Sequence, residues 1–404
     1  MDINLALYGS VDLDEVQSEI IDTPELQRLR GIKQLGLVEK AYPDGVNTRF
    51  AHALGVSYTA GKIADHLNLD PTEKRLVQLA GLLHDIGHTP YSHTLETLLP
   101  EDHMVLTRKL VTGEEILNLP GAGDVPKILR KYGIDPITIG DLITERYHGK
   151  KYLQQIIHSE VDADQLDYLQ RDTYFTGNKL GTVDLDYIIN TMIIKDGRIC
   201  VEEKGVTTLR SMFASRLAMY DTVYIHRVSR IAETMLLKAV KLSLEDLPDL
   251  TSYTDDELLT RLMIQASHLK SKELAQRVKY RHLFKEVYKI DSKTATTEQK
   301  ETAENLADEG LDKIEQALLK ETGLEEGEIL TEFPADIVSE HRMTKTNIDV
   351  LKKDGSLVDL VEVSPTIKAL VQEESADALF SVYCAKENAE KVLAAVEKYL
   401  LEHK

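Results

Sequence analysis

The stretch GLLHDIGHTPYSHTLE, residues 81–96, places His84, Asp85, His88, His93 and Glu96 directly after an apolar run. Three of the chain's 13 histidines fall here, so overall composition does not account for the cluster. His84 and His88 are four apart, which on a helix puts two ring nitrogens on one face beside the Asp85 carboxylate. Imidazole and carboxylate together suit a divalent first-row metal. The same residue types also suit general acid–base work, and a histidine pair at this spacing is equally found at a solvated helix end. Polar interruptions of other apolar segments extend the pattern. His52 sits in RFAHALGV, and Asp162, Asp164 and Asp167 punctuate VDADQLDYLQRD. Asp164, Tyr168 and Asp172 recur at helical spacing with Arg171 at the edge, and Arg216, Tyr220 and Tyr224 repeat the arrangement before His226 and Arg227. Taken singly, each stripe also reads as a solvated helix face with a weak ion pair.

The elements that must carry these residues are mainly helical. Asp22-Thr23-Pro24 is an N-cap and first-turn signal for ELQRLRGIKQLG. FAHALGVSYTAGKIADHLNL puts Ala53, Val56, Ala60, Ile63 and Leu67 on one face. Asp70-Pro71 opens the helix that runs into His84, and Gly87 and Pro90 should end or bend it. Residues 151–172 read as one amphipathic segment, and a strong helix is expected from about 205 to 243. Asp196-Gly197 marks a hairpin between them. Residues 1–290 are expected as a helical body and 291–328 as a charged helical connector, with 329–404 as a small α+β lobe carrying a second Asp354-Gly355 hairpin.

Length and composition allow a large buried core in one or two domains. The formal net charge of −20 opposes a nucleic-acid backbone and argues against a polymeric nucleic-acid partner. No run approaches the roughly 20 apolar residues of a membrane span. The start, MDINLALYGSVDLDE, lacks a basic flank and an apolar core, so no secretory signal is expected. Cys200 and Cys384 are far apart and form no metal-type spacing, which fits a reducing, cytoplasmic setting.

The blocks DTPELQRLRGIKQLG, NTRFAHALGV, LLHDIGHTPYSH, VDADQLDYLQRD and MFASRLAMYDTVYIHRVSR, in this order, resemble those of the HD-domain phosphohydrolase superfamily, and within it the deoxynucleoside triphosphate triphosphohydrolases. The resemblance covers roughly residues 20–230 and is faint in the tail. It implies a mainly α, multi-helix HD-domain core, with HD motifs over about 49–172 and a nucleotide-contact helix over about 205–243. It also implies hydrolysis of a dNTP to deoxynucleoside and tripolyphosphate by water attack at the α-phosphate. One divalent metal (Fe, Mn, Ni, Zn or Mg) would be held by His52, His84, Asp85 and Asp164. His93 would be the general acid, oriented by Glu96, and His88 and His103 would contact the α- and β-phosphates. Arg49 and Arg216 would hold phosphate, Tyr168 and Tyr224 would pack on the substrate, and Asp172 and Gln34 would hold the sugar 3′-hydroxyl. Leu35 with Tyr224 would crowd the 2′ position. Asp22, Gln27 and Arg30, with His226 and Arg227, match positions that bind a regulatory GTP or dNTP in homo-oligomeric relatives, which are dimers or tetramers. Two departures stand out. Gln165 replaces a lysine common in the family, and Tyr187 and Glu202 stand where the second regulatory site has arginines. The first departure motivates an alternative reading as a nucleotide monophosphatase or phosphodiesterase of the same superfamily. The partial regulatory site and the tail motivate a third, a nucleotide-sensing protein with weak catalysis.

Overall fold

A computed structural model describes residues 1–333, 348–372 and 378–402 of the chain. The part of the expected C-terminal lobe that reads PADIVSEHR lies outside the described residues. The architecture is mainly α, and among the described residues no helix is long and apolar enough to cross a membrane.

The body is built on helix α1 (Arg49–His66) and helix α2 (Pro71–Leu83), packed along each other. Thr48 caps α1 by accepting from the Ala51 amide at 3.3 Å, and its inner face buries Ala53, Val56, Ala60 and Ile63. Asp70 caps α2 through the Thr72 and Glu73 amides, with Pro71 at the first helical position where a missing N–H costs nothing. Helix α3 (His103–Thr112) follows the histidine-rich segment, and helix α4 (Ala163–Thr176) lies against α1. Helix α5 (Val206–Met219) runs into a π-helical turn, Tyr220–Tyr224, and helix α6 (Arg227–Lys241) begins after it. Helix α7 (Asp255–Ile264) packs in a second apolar cluster with α6.

Two expected helices are therefore divided. The segment 151–172 breaks between Lys151–Ile157 and α4, where Asp162 turns its carboxylate onto the Gln165 amide at 2.8 Å. The expected 205–243 helix is interrupted by the π turn and by His226, whose ring nitrogen accepts from the Val228 amide and starts α6 afresh. Both breaks come from a polar side chain taking a backbone amide that a continuous helix would use.

Three small sheets complete the fold. Strands β1 (Asp2–Leu5) and β2 (Gly9–Asp12) form an N-terminal hairpin. Strands β3 (Met192–Lys195) and β4 (Arg198–Glu202) form the expected Asp196-Gly197 hairpin. Strands β5 (Lys285–Asp291) and β6 (Ile329–Glu332) flank β9 (Ala378–Cys384). Strands β7 (Asp349–Leu351) and β8 (Leu357–Asp359) pair antiparallel, but β7 also runs parallel to β4, with Cys200 opposite Asp349. The tail is thus shared between two sheets, and the expected divisions at 290 and 328 do not coincide with sheet membership, since β5 spans the first. The segment between those divisions forms two helices, Thr297–Glu309 and Leu311–Thr322, whose Ala303, Leu306, Ile314 and Leu318 pack into the core of the β5–β9–β6 sheet.

Candidate active site

Helices α1 and α4 and the end of α2 bring His52, His84, Asp85 and Asp164 together. The helix expected to run into His84 and to end or bend at Gly87 and Pro90 stops at Leu83, with His84 as its C-cap, and the chain then turns. His84 Nδ1 lies 2.7 Å from the Gly81 carbonyl oxygen, so it carries the hydrogen. Its Nε2 is buried with no hydrogen-bond partner, 3.2 Å from Asp85 Oδ1 and 3.8 Å from Asp164 Oδ1. His52 Nε2 lies 2.9 Å from Asp164 Oδ1 and 3.8 Å from Asp85 Oδ2. Ligand atoms of His52, His84 and Asp164 fall within 4.8 Å of one another. The partnerless His84 Nε2 and the His52 Nε2 that faces Asp164, converging with carboxylate oxygens, form a donor set that suits a divalent cation.

Electrostatics keep the carboxylates charged. Burial pushes Asp85 up, but Arg49, His84 and His88 outweigh it and hold it well below the usual carboxylate range. Burial also raises Asp164, and the neighbouring His52 brings it below its ordinary value. Burial disfavours a charged His52, yet its bonds to Asp164 and Asp167 raise it to about 10. A proton and a cation therefore compete for the same Nε2.

Sequence reading did not place the second layer in the site. Asp167, fully buried, receives His52 Nδ1 at 2.8 Å, and Arg171 holds the same carboxylate with Nε and Nη2 at 2.8 and 2.9 Å. Carboxylate support of a ligating histidine fixes its tautomer and ring direction. The approach requires Gly55, because a Cβ there would sit 1.9 Å from Asp167 Oδ1 and 2.4 Å from Arg171 Nη2. An Asp–Arg pair at i, i+4 facing a glycine within a helix was the available signal.

A second group lies alongside. Glu96 bridges two histidines, accepting from His93 Nδ1 at 2.9 Å through one oxygen and from His103 Nδ1 through the other. Burial raises Glu96, but the bonds to His103 and His93 lower it far more. His93 is pushed down by burial, with Glu96 opposing. His88 stacks on His103 with ring centres 3.8 Å apart, and its Nε2 lies 3.2 Å from Asp85 Oδ1. Burial and the adjacent Arg49 push His88 well below its usual pKa. It is therefore neutral near pH 7 and uses its Nε2 hydrogen on Asp85. This differs from the expected protonated phosphate contact: the turn after Leu83 aims His88 back at a carboxylate. His93 and Asp164 keep 38% and 37% of their side-chain surface exposed, so each group has a member that solvent can reach.

The loop between these groups is strained. Tyr91 and Ser92 both have φ of 57°, an uncommon left-handed conformation for such residues. Asp255 of α7 holds the loop, accepting from the Tyr91 amide at 2.7 Å and the Lys33 amide at 3.0 Å. Ser92 Oγ donates to the Lys33 carbonyl and accepts from Arg49 Nε, while Arg49 Nη1 binds Asp85. Arg49 is thus tied to Asp85, beside the His52–His84–Asp164 group.

Most of the remaining expected contacts have partners of their own. Asp172 accepts from Tyr224 OH at 3.0 Å and from Asn47 Nδ2 at 3.2 Å. Burial lifts it to about 7, with His52, Tyr224 and Asn47 opposing. Gln34 Oε1 and Asn47 Oδ1 are buried without partners, and the Gln34 amide donates to the Asn47 carbonyl. Leu35 is buried beside them in sequence. Tyr168 meets Tyr224 edge-on at 6.3 Å, and Arg216 Nη1 donates to Gln165 Oε1 at 3.0 Å. Of the expected regulatory residues, Arg30 donates to Gln27 Oε1 at 2.9 Å and lies 3.7 Å over the Phe50 ring, and Asp22 ends the helix Glu15–Ile21. His226 caps α6, and Arg227 is exposed, 3.8 Å from Glu286.

Comparison with known proteins agrees with this layout. Residues 49–172 match the HD domain, and residues 183–403 match the HD associated region. An uncharacterised protein of Methanocaldococcus jannaschii is 31% identical over 395 residues, covering 96% of this chain and 80% of its own. The human deoxynucleoside triphosphate triphosphohydrolase SAMHD1 is 26% identical across 98% of this chain and 72% of its own. A hypothetical protein from Aquifex aeolicus has a solved structure that superposes with a TM-score of 0.75 at 28% identity, covering 98% of this chain and 99% of that one.

Proposed function

This chain belongs to the HD-domain phosphohydrolases, and we propose that it splits deoxynucleoside triphosphates into deoxynucleoside and tripolyphosphate by attack of water at the α-phosphate. The observation that carries the reading is the junction of two groups. A cation-competent His/Asp set adjoins a glutamate-bridged histidine pair, with His88 touching both. The similarity to the human triphosphohydrolase supports a dNTP substrate.

His52, His84, Asp85 and Asp164 would hold one divalent cation, which when bound neutralises phosphate charge and lowers the pKa of the attacking water. Phosphate esters hydrolyse so slowly unaided that such help is required. His93 acts as the general acid. Its Nδ1 is engaged by Glu96, and its Nε2 delivers the proton to the departing 5′-oxygen. Glu96 favours the protonated ring, and His103 holds Glu96 from the other side. Arg49 steadies Asp85, and Arg216 and His103 contact the phosphates. The partnerless amide oxygens of Gln34 and Asn47, beside Asp172, provide acceptors for the sugar 3′-hydroxyl. Leu35 and Tyr224 crowd the 2′ position, and Tyr168 packs on the sugar. Asp22, Gln27 and Arg30, with His226 and Arg227, form the contacts for an activating GTP or dNTP in a homo-oligomer.

One observation favours a second reading within the same superfamily. Gln165 brings no charge and occupies an Arg216 nitrogen, which suits a smaller phosphoester such as a nucleoside monophosphate. The test is incubation of metal-loaded protein with each of the four dNTPs, with and without GTP, and with dNMPs. Tripolyphosphate and deoxynucleoside are the expected products. Orthophosphate from dNMPs alone selects the second reading, and intact nucleotides throughout sink both.

A further inference from the structure

We propose that Tyr8, at the tip of the N-terminal hairpin, is a positioning residue of the metal group, acting through Asp167 on His52. The proposal rests on His52 as a metal ligand and is independent of the substrate.

The hairpin is anchored from below. Leu5 and Val11 are buried in the main core, and the turn closes with the Tyr8 amide donating to the Leu5 carbonyl. Gly9 follows at φ +70°, a conformation in which a side chain would be strained, so the turn presents Tyr8 in one direction. The Tyr8 ring stacks on Tyr58 of α1, with centres 4.6 Å apart and planes 27° apart. Tyr58 lies six residues beyond His52 on the same helix. The stack therefore aligns the hairpin with the helix that carries the ligand.

The phenol completes a carboxylate. Tyr8 OH donates to Asp167 Oδ1 at 2.7 Å. The other donors to Asp167 are His52 Nδ1, Arg171 Nε and Arg171 Nη2. An ionised carboxylate has about four acceptor sites, so these donors fill it. Three of them come from α1 and α4, and Tyr8 alone among these brings a distant segment. Burial and the Asp167 charge keep the phenol protonated, so it stays a donor. Arg171 grips both Asp167 oxygens from one side, and Tyr8, donating from another segment, secures the carboxylate plane against the rotation that remains. That rotation sets where Oδ2 lies, hence how the His52 ring is turned and where its Nε2 points. Without the phenol, Asp167 Oδ1 keeps only the Arg171 contact and the carboxylate can rock.

The experiment uses the full chain, stripped of metal, titrated with Mn²⁺ by calorimetry in the absence of nucleotide, for the wild type and Tyr8→Phe. The metal-free melting temperature is recorded beside each titration. Phenylalanine retains the stack on Tyr58 and removes only the donor. Tyr8→Phe is expected to weaken Mn²⁺ binding by about tenfold, at the low end of outer-layer effects, while the metal-free melting temperature stays near the wild-type value. A lowered melting temperature with unchanged Mn²⁺ affinity would make Tyr8 a packing residue and overturn the proposal, as would no change in either. Asp167→Asn supplies the second arm. If Tyr8 acts through Asp167, adding Tyr8→Phe to Asp167→Asn costs no further affinity. A full additional tenfold loss in that background would also overturn the proposal. Because no nucleotide is present, failure of the triphosphohydrolase reading leaves this outcome untouched.

Discussion

Replacing Glu96 with glutamine isolates the proton chemistry proposed for His93. The substitution preserves shape and removes the charge that faces His93 Nδ1 at 2.9 Å. A hydrogen bond to a charged group contributes about 1.5–3 kcal/mol, and one pKa unit corresponds to about 1.4 kcal/mol. The His93 pKa should therefore fall by about 1–2 units in Glu96→Gln, since burial already lowers it and Glu96 is the opposing influence. A general acid works only when protonated, so the effect depends on pH. Below both pKa values the variant and the wild type share a protonated His93, and this loss vanishes. Above both, the protonated fraction in the variant is roughly 10–100-fold smaller, and kcat falls by that factor. The assay is the pH dependence of kcat with a saturating dNTP, with metal content measured at each pH. The alkaline limb of the variant should move to lower pH by about 1–2 units. A loss of equal size at every pH, or a limb that does not move, would refute the assignment of Glu96 and His93.

Three further outcomes follow from the same geometry. His88→Ala should retain bound metal, because His88 braces Asp85 through Nε2 and belongs to the His93–Glu96–His103 cluster rather than to the His52–His84–Asp164 group, yet turnover should fall by about tenfold or more; elemental analysis beside steady-state rates checks this, and loss of metal would restore His88 as a ligand. Asn47→Ala removes the 3.2 Å bond to Asp172 and should lower kcat/KM for dNTPs by about tenfold, with no matching loss for 3′-deoxy analogues that lack the hydroxyl; equal losses on both would make Asn47 a packing residue. Glu233 is buried with Arg230 and Glu332, and burial chiefly raises its pKa from 4.5 to about 7. The native state thus holds a proton that the unfolded chain releases at lower pH. The associated stability is complete below 4.5 and lost as pH rises through about 7, roughly 3 kcal/mol at most. Urea unfolding of Glu233→Gln and wild type at pH 5 and 8 should show the difference moving in the variant's favour at the higher pH, and a constant difference would contradict it.

The proposed ligand set was legible because its members interrupt apolar helices in a recognisable order: His52, then His84-Asp85, then Asp164. Each lies on or at the end of a helix marked by strong caps, Thr48, Asp70 and Asp162. The pairing of His93 with Glu96 was legible for the same reason, being short-range. What escaped was decided by side chains taking backbone groups or by contacts between distant segments. The i, i+4 reading of His84 and His88 assumed a helix that ends at Leu83, so the two rings have different partners. Asp167 was visible as an interruption, but its role depends on His52, Arg171, Gly55 and Tyr8, which only the packing of α4 on α1 and the hairpin brings together. Asp255 supports the Tyr91–Ser92 turn from more than 160 residues away. In the tail, the hairpin after Leu351 follows from local turn chemistry, whereas the parallel pairing of Asp349 with Cys200 has no local signal.

Attack of water on the α-phosphate at a site built on His52, His84, Asp85 and Asp164 leaves an isotopic trace. Hydrolysis of a dNTP in ¹⁸O-labelled water, with mass analysis of both products, tests it most directly. Label is expected in the tripolyphosphate and not in the 5′-hydroxyl of the deoxynucleoside, with no products from Asp164→Ala. Label in the deoxynucleoside, or label in orthophosphate released beside a deoxynucleoside diphosphate, would contradict it.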